Sequence, residues 1–85
     1  MYEVTFSKKA TKDLEKLPSI ISQRIVSKLE RARIRPERFF QRLVGKETYK
    51  LRVGNYRVIA DIENKNLHIL VIELGHRKNI YASKN

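Results

Sequence analysis

Lys50, Arg52 and Arg57 are the residues of this chain whose types and spacing could do chemistry. They lie within TYKLRVGNYRVIADI, residues 48–62, where two β-type runs flank Gly54-Asn55. A two-residue connection with Gly first suits a type II′ hairpin. Closing the hairpin there pairs Val53 with Tyr56, Arg52 with Arg57, Leu51 with Val58 and Lys50 with Ile59. Side chains alternate between the faces of a strand. Tyr49, Leu51, Val53, Tyr56, Val58, Ala60 and Ile62 therefore share one face, which reads as core, while Lys50, Arg52 and Arg57 share the other. Like charges directly opposite each other destabilise a sheet. The triplet reads as an anion site.

A polyanion fits such a site better than a small acid, and RNA is one polyanion on which a cationic site can do chemistry without a metal. An RNA strand can be cut by its own 2′-hydroxyl attacking the neighbouring phosphate, so a protein needs to align the two, stabilise the phosphorane and move two protons. Arginine is suited to the phosphate because its fork bonds two oxygens at once. Lysine serves as a base only where its surroundings, such as nearby cations, favour the neutral amine, and Lys50 has Arg52 on its own face. Arginine itself stays protonated and is a poor base.

Composition supports a polyanionic partner. The 85 residues carry 19 Lys and Arg against nine acids, a net charge of +10. Residues 1–45 hold 11 basic and 5 acidic side chains and residues 46–85 hold 8 and 4, so the excess belongs to the folded body rather than to a tail. Such a balance favours nucleic acid or an acidic protein over a neutral metabolite. Without cysteine there is no disulfide framework and no thiolate zinc site. His68 and His76 are eight apart with no carboxylates at ligand spacing, and Gly45, Gly54 and Gly75 are isolated. Neither a metal nor a phosphate-cradling loop is expected, and no cofactor. No apolar run reaches membrane-spanning length and the N-terminus lacks signal-peptide form, so the chain reads as a soluble, cytoplasmic protein of one domain, residues 1–85.

The elements that must position the cations follow from periodicity. Tyr2–Phe6 alternates as a short strand. Ser7 can cap a helix through Leu17 with Ala10, Leu14 and Leu17 as its apolar stripe. Pro18 can open a second helix, in which Ile21, Ile25, Leu29 and Ala32 form a stripe widened by Ile20 and Val26; Pro36 stops it. Residues 34–47 read as a connection in which Phe39, Phe40, Leu43 and Val44 seal the core edge between Arg35, Arg38 and Arg42, with RNA contact as a second reading. After the polar turn 63–66, Leu67–Leu74 is a nearly continuous apolar run that suggests a central strand buried on both faces. Its register is ambiguous by one residue. The order β-α-α-β-β-β gives an α+β fold: an N-terminal strand and an αα-hairpin packed on one face of a mostly antiparallel four-stranded sheet, whose other face stays open beneath Lys50, Arg52 and Arg57.

YKLRVGNYRVIADI followed by an apolar strand and GHRKNIY resembles the RelE/ParE superfamily of small toxins from bacterial and archaeal toxin–antitoxin pairs. The likeness covers nearly the whole chain: its length, the αα-hairpin, the LxG element at Leu43–Gly45, the KLRxGxYR core and the terminal HR…Y. Arg77 and Tyr81 are what align it with the RelE branch rather than the gyrase-poisoning ParE branch. The RelE resemblance implies a ribosome-dependent endoribonuclease that cuts mRNA in the decoding site and arrests translation. It implies that Lys50 helps to activate the 2′-hydroxyl, Arg57 clamps the phosphate, Arg77 stabilises or protonates the leaving oxygen and Tyr81 stacks on a base or orients the nucleotide. Arg52, where well-known members carry a second lysine, would be a further clamp. His76 is an alternative base, and Lys46, His76 and Lys78 would join the RNA-binding set. The implied partners are the ribosome, mRNA and a RelB-like, acidic antitoxin. Two further readings stand beside this one: a ParE-like toxin that inhibits DNA gyrase and cuts nothing, and an RNA-binding module without catalysis.

Overall fold

The computed structural model describes residues 1–43, 45 and 48–79. The elements run β1 (Glu3–Phe6), α1 (Lys8–Glu15), α2 (Ser19–Ala32), a single 3-10 turn at Pro36–Arg38, β2 (Gln41–Arg42), β3 (Thr48–Val53), β4 (Tyr56–Glu63), β5 (His68–His76) and a second 3-10 turn at Arg77–Asn79. One sheet has the order β1-β5-β4-β3-β2, with β1 parallel to β5 and every other pair antiparallel. The fold is α+β as the sequence implies, with five strands instead of four. The fifth, β2, is two polar residues paired to Tyr49 and Lys50, too short for alternation to reveal.

The hairpin closes as the Gly-Asn turn requires. Val53–Tyr56, Arg52–Arg57, Leu51–Val58 and Lys50–Ile59 are the observed pairs. Gly54 has φ +59° while Asn55 keeps a negative φ, as a type II′ turn demands. Leu51, Val58 and Ala60 are fully buried under the helices, with Tyr49, Val53, Tyr56 and Ile62 packed against them. Each large aliphatic side chain buried in this way stabilises the fold by roughly 1.5–3 kcal/mol.

The helices are cut to fit this face. Ser7 Oγ accepts from the Ala10 N–H at 3.0 Å and starts α1; α1 ends at Glu15, two residues short of Leu17, and Pro18 is the N-cap of α2 rather than its first residue. In α2, Ile25, Leu29 and Ala32 are buried. Ile20 and Val26 do not widen that stripe: they are 63% and 38% exposed. At about 100° per residue Val26 points about a quarter-turn and Ile20 well over a third of a turn from the centre of the buried row, further round than the sheet reaches.

The ambiguous register of β5 has a physical cause. Ile59 faces Glu73 but Ala60 faces Val71, leaving Ile72 as the extra residue of a β-bulge. Ile69 and Val71 point at the helices before the bulge, and Leu74 does so after it. Where β1 ends, α1 supplies partners for β5: Ser7 N–H donates to the Val71 carbonyl (2.9 Å), Ser7 Oγ to the Ile72 carbonyl (2.7 Å), and Leu74 N–H to Asp13 Oδ2 (3.2 Å). The strand is internal to the sheet, and its buried aliphatic side chains, Ile69, Val71 and Leu74, all lie on the helix side. Leu70 and Ile72 are half-buried. The second face of the sheet is also not open throughout, because Leu43 (7% exposed) covers Ile59 (1%) on it.

Candidate active site

Cross-strand rows build a cationic patch on the face away from the helices. One row runs Gln41, Lys50, Ile59, Glu73, and the next runs Arg52, Arg57, Gly75. Val53–Tyr56 closes the two-residue loop, so Arg52–Arg57 is the closer, non-hydrogen-bonded type of pair, with Cα atoms about 4.5 Å apart. Two arginines paired in this way on one face can bind one phosphate from two sides. On Arg57's other flank lies Gly75, which has no side chain to crowd it.

The helix layer contributes a fourth cation that sequence reasoning missed. Lys28, on α2, reaches the β3 edge just beyond the end of β2 and donates from Nζ to the Arg52 carbonyl at 2.6 Å. Together Lys28, Arg38, Lys50 and Arg52 line a cleft of about 410 Å³ along that edge. The only trace in the sequence is the basic-aromatic run around Arg38; nothing local marks Lys28, twenty-four residues from Arg52.

Arg77 follows β5 directly. Its N–H donates to the Asn55 carbonyl at 2.9 Å, so its backbone is held against the hairpin turn, two residues past Gly75 of the Arg52–Arg57–Gly75 row, and its side chain is exposed. Lys78 is exposed beside it. His76 is not brought to this patch. It pairs with Tyr56 on the helix-side face, ring edge to ring face at 5.4 Å and 74°, and its Nδ1 accepts from the Lys78 N–H at 3.2 Å. The sheet therefore separates His76 from Lys50, Arg52 and Arg57. Lys46 and Tyr81 lie outside the described residues.

Carboxylates border the patch. Glu73 stands across Ile59 from Lys50, and Asp61 follows two residues after Ile59 on the same strand face. Glu73 is on this face only because of the bulge, which is why a reading of the apolar run passed over it. Among the described residues no group of three or more His, Cys, Asp or Glu side chains is placed to hold a metal ion. No described helix is long and apolar enough to cross a membrane.

The fold is that of toxins held in solved toxin–antitoxin complexes, and the class it shares with them is the toxin of a type II toxin–antitoxin system. The chain belongs to the ParE toxin family, described as the ParE toxin of the type II toxin-antitoxin system parDE, which matches residues 4–81, and with it to the RelE/ParE superfamily. It is 32% identical over 85 residues to toxin RelG of Mycobacterium tuberculosis, covering 94% of this chain and 95% of that protein. In the solved toxin–antitoxin complex RelBE2 of M. tuberculosis, a chain with 29% identity superimposes with a TM-score of 0.75, over 89% of this chain and 98% of that one. The intact RelBE toxin–antitoxin complex of E. coli matches at 25% identity and a TM-score of 0.78, over 89% of this chain and 96% of its counterpart.

Proposed function

We propose that this toxin is a RelE-type mRNA interferase: a ribosome-dependent endoribonuclease that acts in the cytoplasm, cuts mRNA in the decoding site and stops translation. The observation that carries the reading is the convergence of Lys50, Arg52 and Arg57 on one sheet face, with Arg77 held at its end. In the reaction the 2′-oxygen attacks phosphorus and the P–O5′ bond breaks, leaving a 2′,3′-cyclic phosphate and a 5′-hydroxyl. Lys50 takes the 2′-hydroxyl proton, Arg52 and Arg57 hold the non-bridging oxygens as charge builds on them, and Arg77 stabilises or protonates the leaving 5′-oxygen. Tyr81 stacks on a base, and Lys46 and Lys78 add contacts to the RNA backbone. None of these steps uses a metal.

The partner that silences the toxin is a RelB-like antitoxin, as in the RelBE complexes of similar fold. An acidic, amphipathic helix fits it best. The groove of about 510 Å³ between α2 and the hairpin tip, with Ile20 and Val53 among Arg24, Lys28 and Arg31, offers the apolar floor and cationic rim such a helix needs.

The test is primer extension on a defined mRNA in a translating extract, comparing wild type with Arg57→Ala. Discrete in-frame cuts that fall about 10²–10³-fold in the variant are expected, the usual effect of removing one charge-stabilising donor. The family match favours a second reading, a ParE-like toxin that inhibits DNA gyrase without cutting RNA. Growth arrest with intact mRNA and altered plasmid supercoiling would establish that one instead.

A further inference from the structure

We infer that the cleft on the β3 edge is a nucleobase pocket, which seats the base adjoining the phosphate held by Lys50 and Arg52 and discriminates among bases there. The inference rests on the RNA-cleavage reading and adds to it a determinant of where the cut falls.

Three features carry it. The first is continuity: Lys50 and Arg52 belong both to the phosphate patch and to the wall of the cleft, so a strand clamped at the patch has its next base at the cleft mouth. The second is shape: the cleft is a single recess of about 410 Å³, within the roughly 300–1,000 Å³ range of ligand sites. It lies where β2 gives way to the Pro36–Arg38 turn, and α2 closes it through Lys28. That form suits one planar group better than an extended peptide.

The third feature is chemistry. Phe39, half-buried, supplies apolar surface for a base to pack on, a contact every base can make. Selectivity must then come from polar groups able to read a base edge. Gln41 pairs directly with Lys50 and carries an amide donor and acceptor side by side. Glu37, from the 3-10 turn, adds a carboxylate that accepts from exocyclic amines. Both are exposed. A cleft meant only to hold backbone would have no use for a carboxylate among four cations. A cleft that distinguishes bases bearing an amine from those bearing a carbonyl does.

The test compares wild type with the Glu37→Ala/Gln41→Ala double variant on mRNAs differing at a single base beside the cut. The expected result is that the ratio of cleavage between bases, about tenfold or more for one well-placed pair of base-edge hydrogen bonds, collapses towards unity in the variant. Ratios unchanged by the double substitution would overturn the inference. A second measurement does not depend on cutting: the Gln41 side-chain amide is followed by NMR while an uncleavable 2′-O-methyl trinucleotide is added, with an acidic hexapeptide as comparison. Shifts on RNA that depend on the base support the pocket. Shifts with the peptide alone overturn it and assign the cleft to a protein partner. If wild-type protein cuts no RNA, the nuclease reading fails, while the titration still decides the pocket.

Discussion

Two guanidinium groups face each other across the hairpin, Arg52 on β3 and Arg57 on β4. Their proximity costs stability by charge repulsion, and in the proposed reaction the same pair clamps the phosphate, so the two demands can be separated by substitution. Arg52→Glu turns the pair into opposite charges, and the fold should gain about 0.5 kcal/mol, or about 3 °C in Tm for a domain of this size. RNA cleavage should fall sharply in the same protein. Thermal melts and cut-site mapping on one preparation check both; a variant that is less stable would show that the facing arginines carry no repulsive cost. This much was legible in the sequence, because a two-residue turn fixes every pairing in its hairpin. Lys28 was not, since its place at the β3 edge is set by how α2 crosses the sheet. Nor was the exposure of Ile20 and Val26, because the width of a buried stripe depends on what covers it.

At the scale of elements, β5 governs which residues belong to the site. An alternating pattern read straight through Ile69, Val71 and Glu73 would put a carboxylate under the helices. Transferring an unpaired charge there costs several kcal/mol. The bulge at Ile72 avoids this by turning Glu73 outward and Leu74 inward, and by the same half-turn it carries His76 to the helix side. The apolar run could not reveal this, because both registers bury aliphatic side chains, and the contacts that favour the bulged one come from Ser7 and from Asp13 of α1, far away in the sequence. Replacing the charge should loosen the choice. Glu73→Val is expected to give a second set of β5 amide resonances from a register slipped by one residue, where wild type gives one. A single set in the variant would mean that the α1 contacts alone fix the bulge.

Across the whole molecule the sheet face is polarised. The hairpin end carries Lys50, Arg52 and Arg57, and at the opposite end Glu3 and Glu63 flank His68 in one row, with Asp61 nearby. A polyanion is drawn to one end and repelled from the other, which orients it before any specific contact forms. Net charge alone therefore overstates the binding surface. The logarithmic slope of RNA affinity against salt should lose about 0.7 for each cation removed from a phosphate contact on a single strand. Lys50→Ala is expected to show that loss, and Lys65→Ala, in the exposed turn at the acidic end, to leave the slope as it was. Equal effects from both would mean that the charge acts diffusely.

The two-residue length of β2 reaches beyond the site. Past Gln41 the flank of β3 has no neighbouring strand among the described residues, and an uncovered flank invites the same flank of another copy to zip onto it. Lys28 occupies the Arg52 carbonyl there and places an ammonium group where a second chain would have to dock. One lysine of α2 thus guards the sheet edge against self-association.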